Sequence, residues 1–226
     1  MIRPSDKILA EGLAKRGLLN QKEIDRCLEA IKSSDETLKS YQDLATELEI
    51  LSAPVYYLAG NHDNPIMLEQ GFLGENIKQD KQIICGNWQI ILLNSRVAEK
   101  TEGYLDAQEL QFLQDCLSTY PKHFALVAVH HHAVPVHGSM DEIMLQNASE
   151  FLALLEKHES VKVVLQGHVH QELAVVRQGI HFFTTPSTCY QIKPGCPSLV
   201  VDDQPAACRW LSIYPEGDFT SLVMRV

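Results

Sequence analysis

The sequence predicts a layered α/β architecture of the αββα kind, and three observations predict it. From Val55 onward, short apolar strand runs alternate with helical runs. Three polar, histidine-bearing clusters each follow an apolar strand directly: Gly60-Asn61-His62-Asp63, His130-His131-His132 and Gly167-His168-Val169-His170. The first third of the chain carries helical rather than strand spacing.

In chain order, Ile8, Leu9 and Leu13, then Ile24, Cys27, Leu28 and Ile31, fall at helical intervals and predict two amphipathic helices parted near Gly17. A third helix is expected from Ser34 or Asp35 to about Leu51, stopped by Ser52-Ala53-Pro54. Val55-Tyr56-Tyr57-Leu58 reads as a strand ending at Gly60. Strands 82–85 and 88–93 flank Gly86-Asn87, a hairpin signal. Asp106 with Glu109 marks the start of a helix through about Ser118. A strand at 124–129, a helix at 147–158 and a strand at 161–165 follow. Hairpins are expected at 173–183 around Gly179 and at 209–226 around Pro215-Glu216-Gly217. The domain reading is an N-terminal helical segment at 1–34 and one α/β domain at 35–226.

Composition excludes several classes. The chain has 226 residues with 29 acidic and 19 basic side chains, a net charge of −10 that argues against nucleic-acid binding. No run of about 18 apolar residues exists, so no membrane span is expected, and the start does not read as a secretory signal. The six cysteines form no CxxC pair, which argues against a zinc ribbon or redox motif; free, buried or half-buried thiols in a reducing cytoplasm are expected.

Strand ends in layered α/β folds are where loops build sites. His168 and His170 are two apart, as are His130 and His132. In an extended segment each pair points to one side and addresses one centre. Imidazole binds Zn, Fe and Mn, and an asparagine oxygen suits the harder end of that range. Asn-His-Asp alone is also a turn signal. His123, His137, His158 and His181 read as ordinary surface or core residues, and Cys189 as packing.

These clusters, in this order and spacing, resemble the motifs of the calcineurin-like metallophosphoesterases. Residues 54–63, 86–93, 103–105, 167–172 and above all 185–195 resemble the class III cyclic-AMP phosphodiesterases among them. The resemblance implies a four-layer αββα sandwich and a two-metal site for hydrolysing a phosphodiester. By it, Asn61, His130 and His168 hold one metal (Mn or Fe, with Zn as a further candidate) and His170 belongs to the other. His62 acts as general acid or phosphate clamp. Asn61, His62, His170 and Asn147 contact substrate, a cyclic nucleotide or another small phosphodiester. Asn147 equally suits a helix N-cap.

The family's first two motifs, Asp-x-His and the Gly-Asp whose carboxylate bridges both metals, have no counterpart. Where Gly-Asp is expected, some ten residues before Tyr41, the chain reads Ala30-Ile31. Asp6, Asp25 and Asp35 end no apolar strand and are not assigned. The expectation is therefore one metal, with the N-terminal strands absent and replaced by helices. A sheet edge would then be covered by those helices or by a partner chain, such as a second copy in a homodimer. Two functions follow: a metal-dependent phosphodiesterase hydrolysing cyclic AMP to AMP, or an inactive or truncated relative that binds one metal or a nucleotide.

Overall fold

The structure, a computed structural model, describes residues 38–225. The helices expected between residues 8 and 31, the start of the third helix and the 34/35 boundary lie outside the described residues. So do Asp6, Asp25 and Asp35. The chain divides into two compact units.

The described part of the first unit comprises residues 38–56 and 63–78. Helix α1 (Leu38–Leu48) ends earlier than the expected Leu51. Its last carbonyl, of Leu48, and that of Leu51 beyond it are taken by Asn76, whose Nδ2 donates to them at 2.8 and 3.1 Å. Strand β1 (Val55–Tyr56) pairs in parallel with the equally short β2 (Ile77–Lys78), so it stops two residues before the expected Leu58. Helix α2 (Pro65–Gly71) has Pro at its first position, and the Asn64 side chain accepts from the Ile66 and Met67 amides at 3.1 and 3.2 Å. The Tyr41 hydroxyl donates to Asp63 at 3.1 Å and accepts from the Asn64 amide at 2.9 Å. Asp63 is thus part of the loop that starts α2.

The second unit comprises residues 57–62 and 79–225 among those described. Its frame is a six-stranded sheet of β3 (Gln82–Cys85), β4 (Trp88–Leu93), β5 (Phe124–Val129), β6 (Val161–Gln166), β7 (Leu173–Arg177) and β8 (Ile180–Thr184). The spatial order is β3-β4-β5-β6-β8-β7. The four inner strands run parallel, and a hairpin returns an antiparallel strand to each edge. The inner strands are near-continuous Val, Ile, Leu and Phe because both faces are covered. On one face, α3 (Ala107–Thr119) and α4 (Ala148–Leu155) bury Leu113, Leu117, Phe151 and Leu155 against Ile91, Val127 and Val164. Asp106 caps α3 as its spacing predicts, accepting from the Gln108 and Glu109 amides at 2.9 Å.

The other face carries the ribbon of β11 (Ala207–Ile213) and β12 (Phe219–Arg225). Leu211, Ile213 and Phe219 pack there on Trp88, Leu126, Val163 and Phe183. The Trp88 indole N–H donates to the Tyr214 oxygen at 2.7 Å and anchors the turn side of the ribbon. The predicted α/β layering is present. Among the described residues, the second sheet on this face is the β11–β12 ribbon alone. A small pair, β9 (Gln191–Ile192) and β10 (Val201–Asp202), completes the strands.

Two smaller expectations change. Helix α4 ends at Leu155 rather than His158, because the chain turns there, with the His158 amide on the Leu155 oxygen at 3.0 Å. Of the described thiols, Cys116 is buried and Cys196 and Cys208 half-buried, but Cys85 and Cys189 are exposed: one lies at the β3–β4 turn of an edge strand, the other in a loop. Among the described residues no helix is long and apolar enough to cross a membrane.

Candidate metal centre

The parallel register sets Leu93 beside Val129 and Val129 beside Gln166, so β4, β5 and β6 end at one edge of the sheet. The three loops that leave this edge start at Asn94, His130 and Gly167. The 57–62 segment of the same unit adds Asn61 and His62.

Asn61 is the meeting point. Its Oδ1 lies 3.0 Å from His130 Nε2 and 3.1 Å from His168 Nδ1. An amide oxygen only accepts, so both nitrogens carry the proton in this arrangement. Gly60 makes the approach possible: a Cβ there would stand 2.7 Å from His130 Cε1. The ring centroids of His130 and His168 are 5.1 Å apart. Burial, then the neighbouring histidines, pushes His130 down to about 3 and His168 to about 2. Both rings are neutral near pH 7, the form that ligates a metal. His168 Nε2 is buried without a hydrogen-bond partner.

The Gly167–His170 loop is tightly turned, not extended. His168 and His170 both have positive φ, 64° and 52°, and the Val169 amide bonds back to the Gly167 oxygen at 2.7 Å. Two non-glycine residues in this region store strain, which concentrates at functional sites. The alternation argument for this pair therefore fails, and the turn sends His170 toward Tyr190, whose ring centroid is 4.7 Å away. Burial lowers the His170 pKa against an opposing hydrogen bond to the Tyr190 backbone, and Nδ1 of His170 has no partner. His62 is exposed, and a positive charge there would oppose protonation of both His130 and His170.

Alternation also fails after β5. The strand ends at Val129, and His132 turns to Asp141, with Nε2 3.3 Å from the carboxylate. Asp141 meanwhile accepts from the Val136 and His137 amides at 2.7 and 2.9 Å and organises that loop. His131, which spacing did not single out, lies inside the cluster, 4.6 Å from the His168 centroid. Among the described residues, the one group of three or more potential metal-ligating His, Cys, Asp or Glu side chains is His130, His131 and His168, their ligating atoms within 4.8 Å. Both nitrogens of His131 are engaged, however. Nε2 donates to the Thr101 oxygen at 3.1 Å, and Nδ1 accepts from the Ser95 hydroxyl at 2.8 Å. His131 clamps the 94–105 loop onto β5. Its signal in the sequence was only adjacency to His130.

Asn147 stands at the α4 N-cap position but does not make the expected side-chain cap. Its buried carboxamide accepts from the Leu105 amide at 3.0 Å and donates to the Leu105 oxygen at 2.7 Å, so both ends are spent on the loop backbone. Of the lone histidines, His123 packs on Tyr120, His181 on Phe219, and His158 meets Gln114.

The donor set fits one divalent ion. Ligand atoms roughly 3 Å apart are what one ion bonded at about 2.0–2.1 Å gathers around it. Asn61, His130 and His168 would hold it once the ring protons that face Asn61 move to the other ring nitrogens, and the unpartnered His170 Nδ1 is a further donor. A second ion does not fit the described residues. The group contains no carboxylate to offset the repulsion of two close cations.

The pattern of the calcineurin-like phosphoesterases matches residues 24–172. A 3',5'-cyclic-nucleotide phosphodiesterase of Nostoc sp. is 35% identical over 195 residues, 86% of this chain and 73% of that protein. The 3',5'-cyclic adenosine monophosphate phosphodiesterase CpdA of Escherichia coli K12 is 34% identical over 86% of this chain and 71% of its own length. A dimetal phosphatase from Danio rerio superposes with a TM-score of 0.53 at 14% identity, covering 99% of this chain and 90% of that one, a likeness of fold. The chain therefore belongs to the calcineurin-like phosphoesterase family.

Proposed function

We propose that this chain hydrolyses a cyclic nucleotide, 3',5'-cyclic AMP, to the nucleoside 5'-monophosphate with one divalent ion held by Asn61, His130 and His168. The observation that carries it is the Asn61 oxygen lying between two neutral imidazoles, the half-buried His130 and the buried His168. The substrate class is supported by the relatives' reaction. Mn or Fe is the proposed ion, with Zn the alternative that two imidazoles favour.

When bound, the ion supplies Lewis acidity to a phosphoryl oxygen and lowers the pKa of an attacking water. The protein does the rest. Asn61, His62 and His170 would contact the phosphoryl group at the strand edge, with His130 kept on the ion. His168 is fixed by its left-handed turn. Water adds to phosphorus and releases one proton to solvent, the P–O3' bond breaks, and the leaving 3' oxygen takes a proton from His62, the exposed imidazole whose charge would bear on His130 and His170. His170 lines the substrate side. Asn147 acts through Leu105 rather than on the base. The cytoplasm is the proposed compartment, supported by the free Cys85 on the surface.

The test is elemental analysis after Mn²⁺ loading together with cyclic-AMP turnover, with His168→Ala as control. One ion per chain and turnover lost in the variant are expected. No turnover above the variant would reject the reading. A second reading, a binding module without hydrolysis, is favoured by the carboxylate-free donor group. It predicts thermal stabilisation by Mn²⁺ and AMP with no product.

A further inference from the structure

We infer that Arg96 is the cation that binds the phosphoryl group at this site, an inference resting on the reading of the strand edge as a phosphoester site. Arg96 leaves the end of β4, three residues beyond Leu93, which is in register with the β5 residue that precedes His130. It is fixed there from both sides. The Asn94 side chain accepts from the Arg96 amide at 3.0 Å, and the preceding residue, Ser95, bonds the His131 ring at 2.8 Å. The Asn94 amide is itself held by Glu109 at 3.0 Å.

Its charge is uncommitted. The described residues contain four arginines. Arg177 pairs with Glu156 at 2.6 Å and Arg225 with Glu172 at 2.8 Å. Arg209 donates to Ser221 at 2.6 Å and to the Thr184 oxygen at 2.8 Å. The half-buried Arg96 side chain makes no hydrogen bond or ion pair among the described residues, and its Nε is buried without an acceptor. A guanidinium nitrogen removed from water without a partner is costly, and an anion is the acceptor that would satisfy it. The loops after β4, β5 and β6 hold one other permanent cation, Lys100, which is paired with Glu102 at 3.4 Å.

An anionic substrate needs that charge. The chain carries −10 overall. Besides a bound ion, Arg96 is the unpaired positive group these loops offer. Its planar fork engages two oxygens of one phosphoryl group, which a lysine ammonium cannot reproduce.

The test measures binding of inorganic phosphate and of AMP to the Mn²⁺-loaded full chain by calorimetry, for wild type, Arg96→Gln, Arg96→Lys and, as a charge control, Arg177→Gln. Metal affinity of each is read separately by chelator competition. Arg96→Gln is expected to weaken phosphate and AMP binding roughly 10- to 100-fold, Arg96→Lys less, and Arg177→Gln not at all, with metal affinity unchanged throughout. Equal phosphate affinity in wild type and Arg96→Gln, or no phosphate binding by wild type, overturns the inference. Phosphate binding that depends on Arg96 without turnover of cyclic AMP upholds the inference and rejects hydrolysis. Turnover with the same KM and the same phosphate affinity in Arg96→Gln does the reverse.

Discussion

One amide oxygen on Asn61 accepts from two imidazoles, and each consequence of its removal is measurable. Asn61→Ala leaves the proton-bearing nitrogens of His130 and His168 without their acceptor. The metal-free variant is expected to lose about 1–3 kcal/mol in urea denaturation. Its Mn²⁺ affinity is expected to fall at least about tenfold in chelator competition. Asn61→Asp keeps the shape and adds the negative charge the donor group lacks, so its Mn²⁺ affinity should rise above wild type. An Asp variant that binds Mn²⁺ more weakly than wild type would show that this oxygen is not a ligand. Gly60 acts on the same ring. The methyl of Gly60→Ala would meet His130 at 2.7 Å, and a displaced ring should weaken metal binding while α3 and α4 keep their helical signal.

At the scale of the element, the 94–105 loop is bound to the sheet edge from two directions. His131 holds Thr101 and Ser95, and Asn147 holds both backbone groups of Leu105. Between them Gly103 lies against the His131 ring, where a Cβ would stand 2.3 Å from Cγ. Gly103→Ala forces the ring or the loop aside and is expected to cost about 1–3 kcal/mol. Asn147→Ala strands the Leu105 amide and carbonyl and is expected to cost about 2 kcal/mol, while the preference for cyclic AMP over cyclic GMP stays as in wild type. A change in that preference without loss of stability would instead mark Asn147 as a base contact. Denaturation curves and competition assays on the two variants separate the outcomes.

For the molecule as a whole, the buried histidines set the response to acid. In the unfolded chain each has its ordinary pKa near 6.5. In the folded, metal-free protein His130 lies at about 3, His131 at about 4 and His168 at about 2, with burial the main cause. Between those limits the unfolded state binds more protons, so stability rises with pH and is lost as pH falls below about 6.5. Each of these histidines contributes a slope of up to about 1.4 kcal/mol per pH unit inside the window. Chelator-treated protein should therefore melt at a clearly lower temperature at pH 5.5 than at pH 7.5, and bound metal should reduce the difference at the upper end. A melting temperature flat across this range would show that the rings are solvated rather than buried.

Periodicity and turn chemistry are local properties, and they made the frame of the second unit legible. The β3–β4 hairpin at Gly86-Asn87, the Asp106 cap and the apolar strands at 124–129 and 161–166 need only neighbours in sequence to be read. The placement of Asn61, His130 and His168 at strand ends was legible for the same reason. The family motifs added which of them belong together. Side-chain direction beyond a strand end was not legible, because alternation holds only while the backbone stays extended. Past Val129 the chain leaves the strand, and past Gln166 it turns through the left-handed His168 and His170, so His132 went to Asp141, His170 went to Tyr190, and His131 entered the cluster as a clamp. Asn147 looked like a cap or a base contact, and only the tertiary fold brought Leu105, forty-two residues earlier, against both ends of its amide. Sequence by itself determined the element types and the chemistry available at the sheet edge. The folded structure alone decided which nitrogens remain free for a ligand, because the hydrogen bonds that occupy those of His130, His131 and His168 span tens of residues.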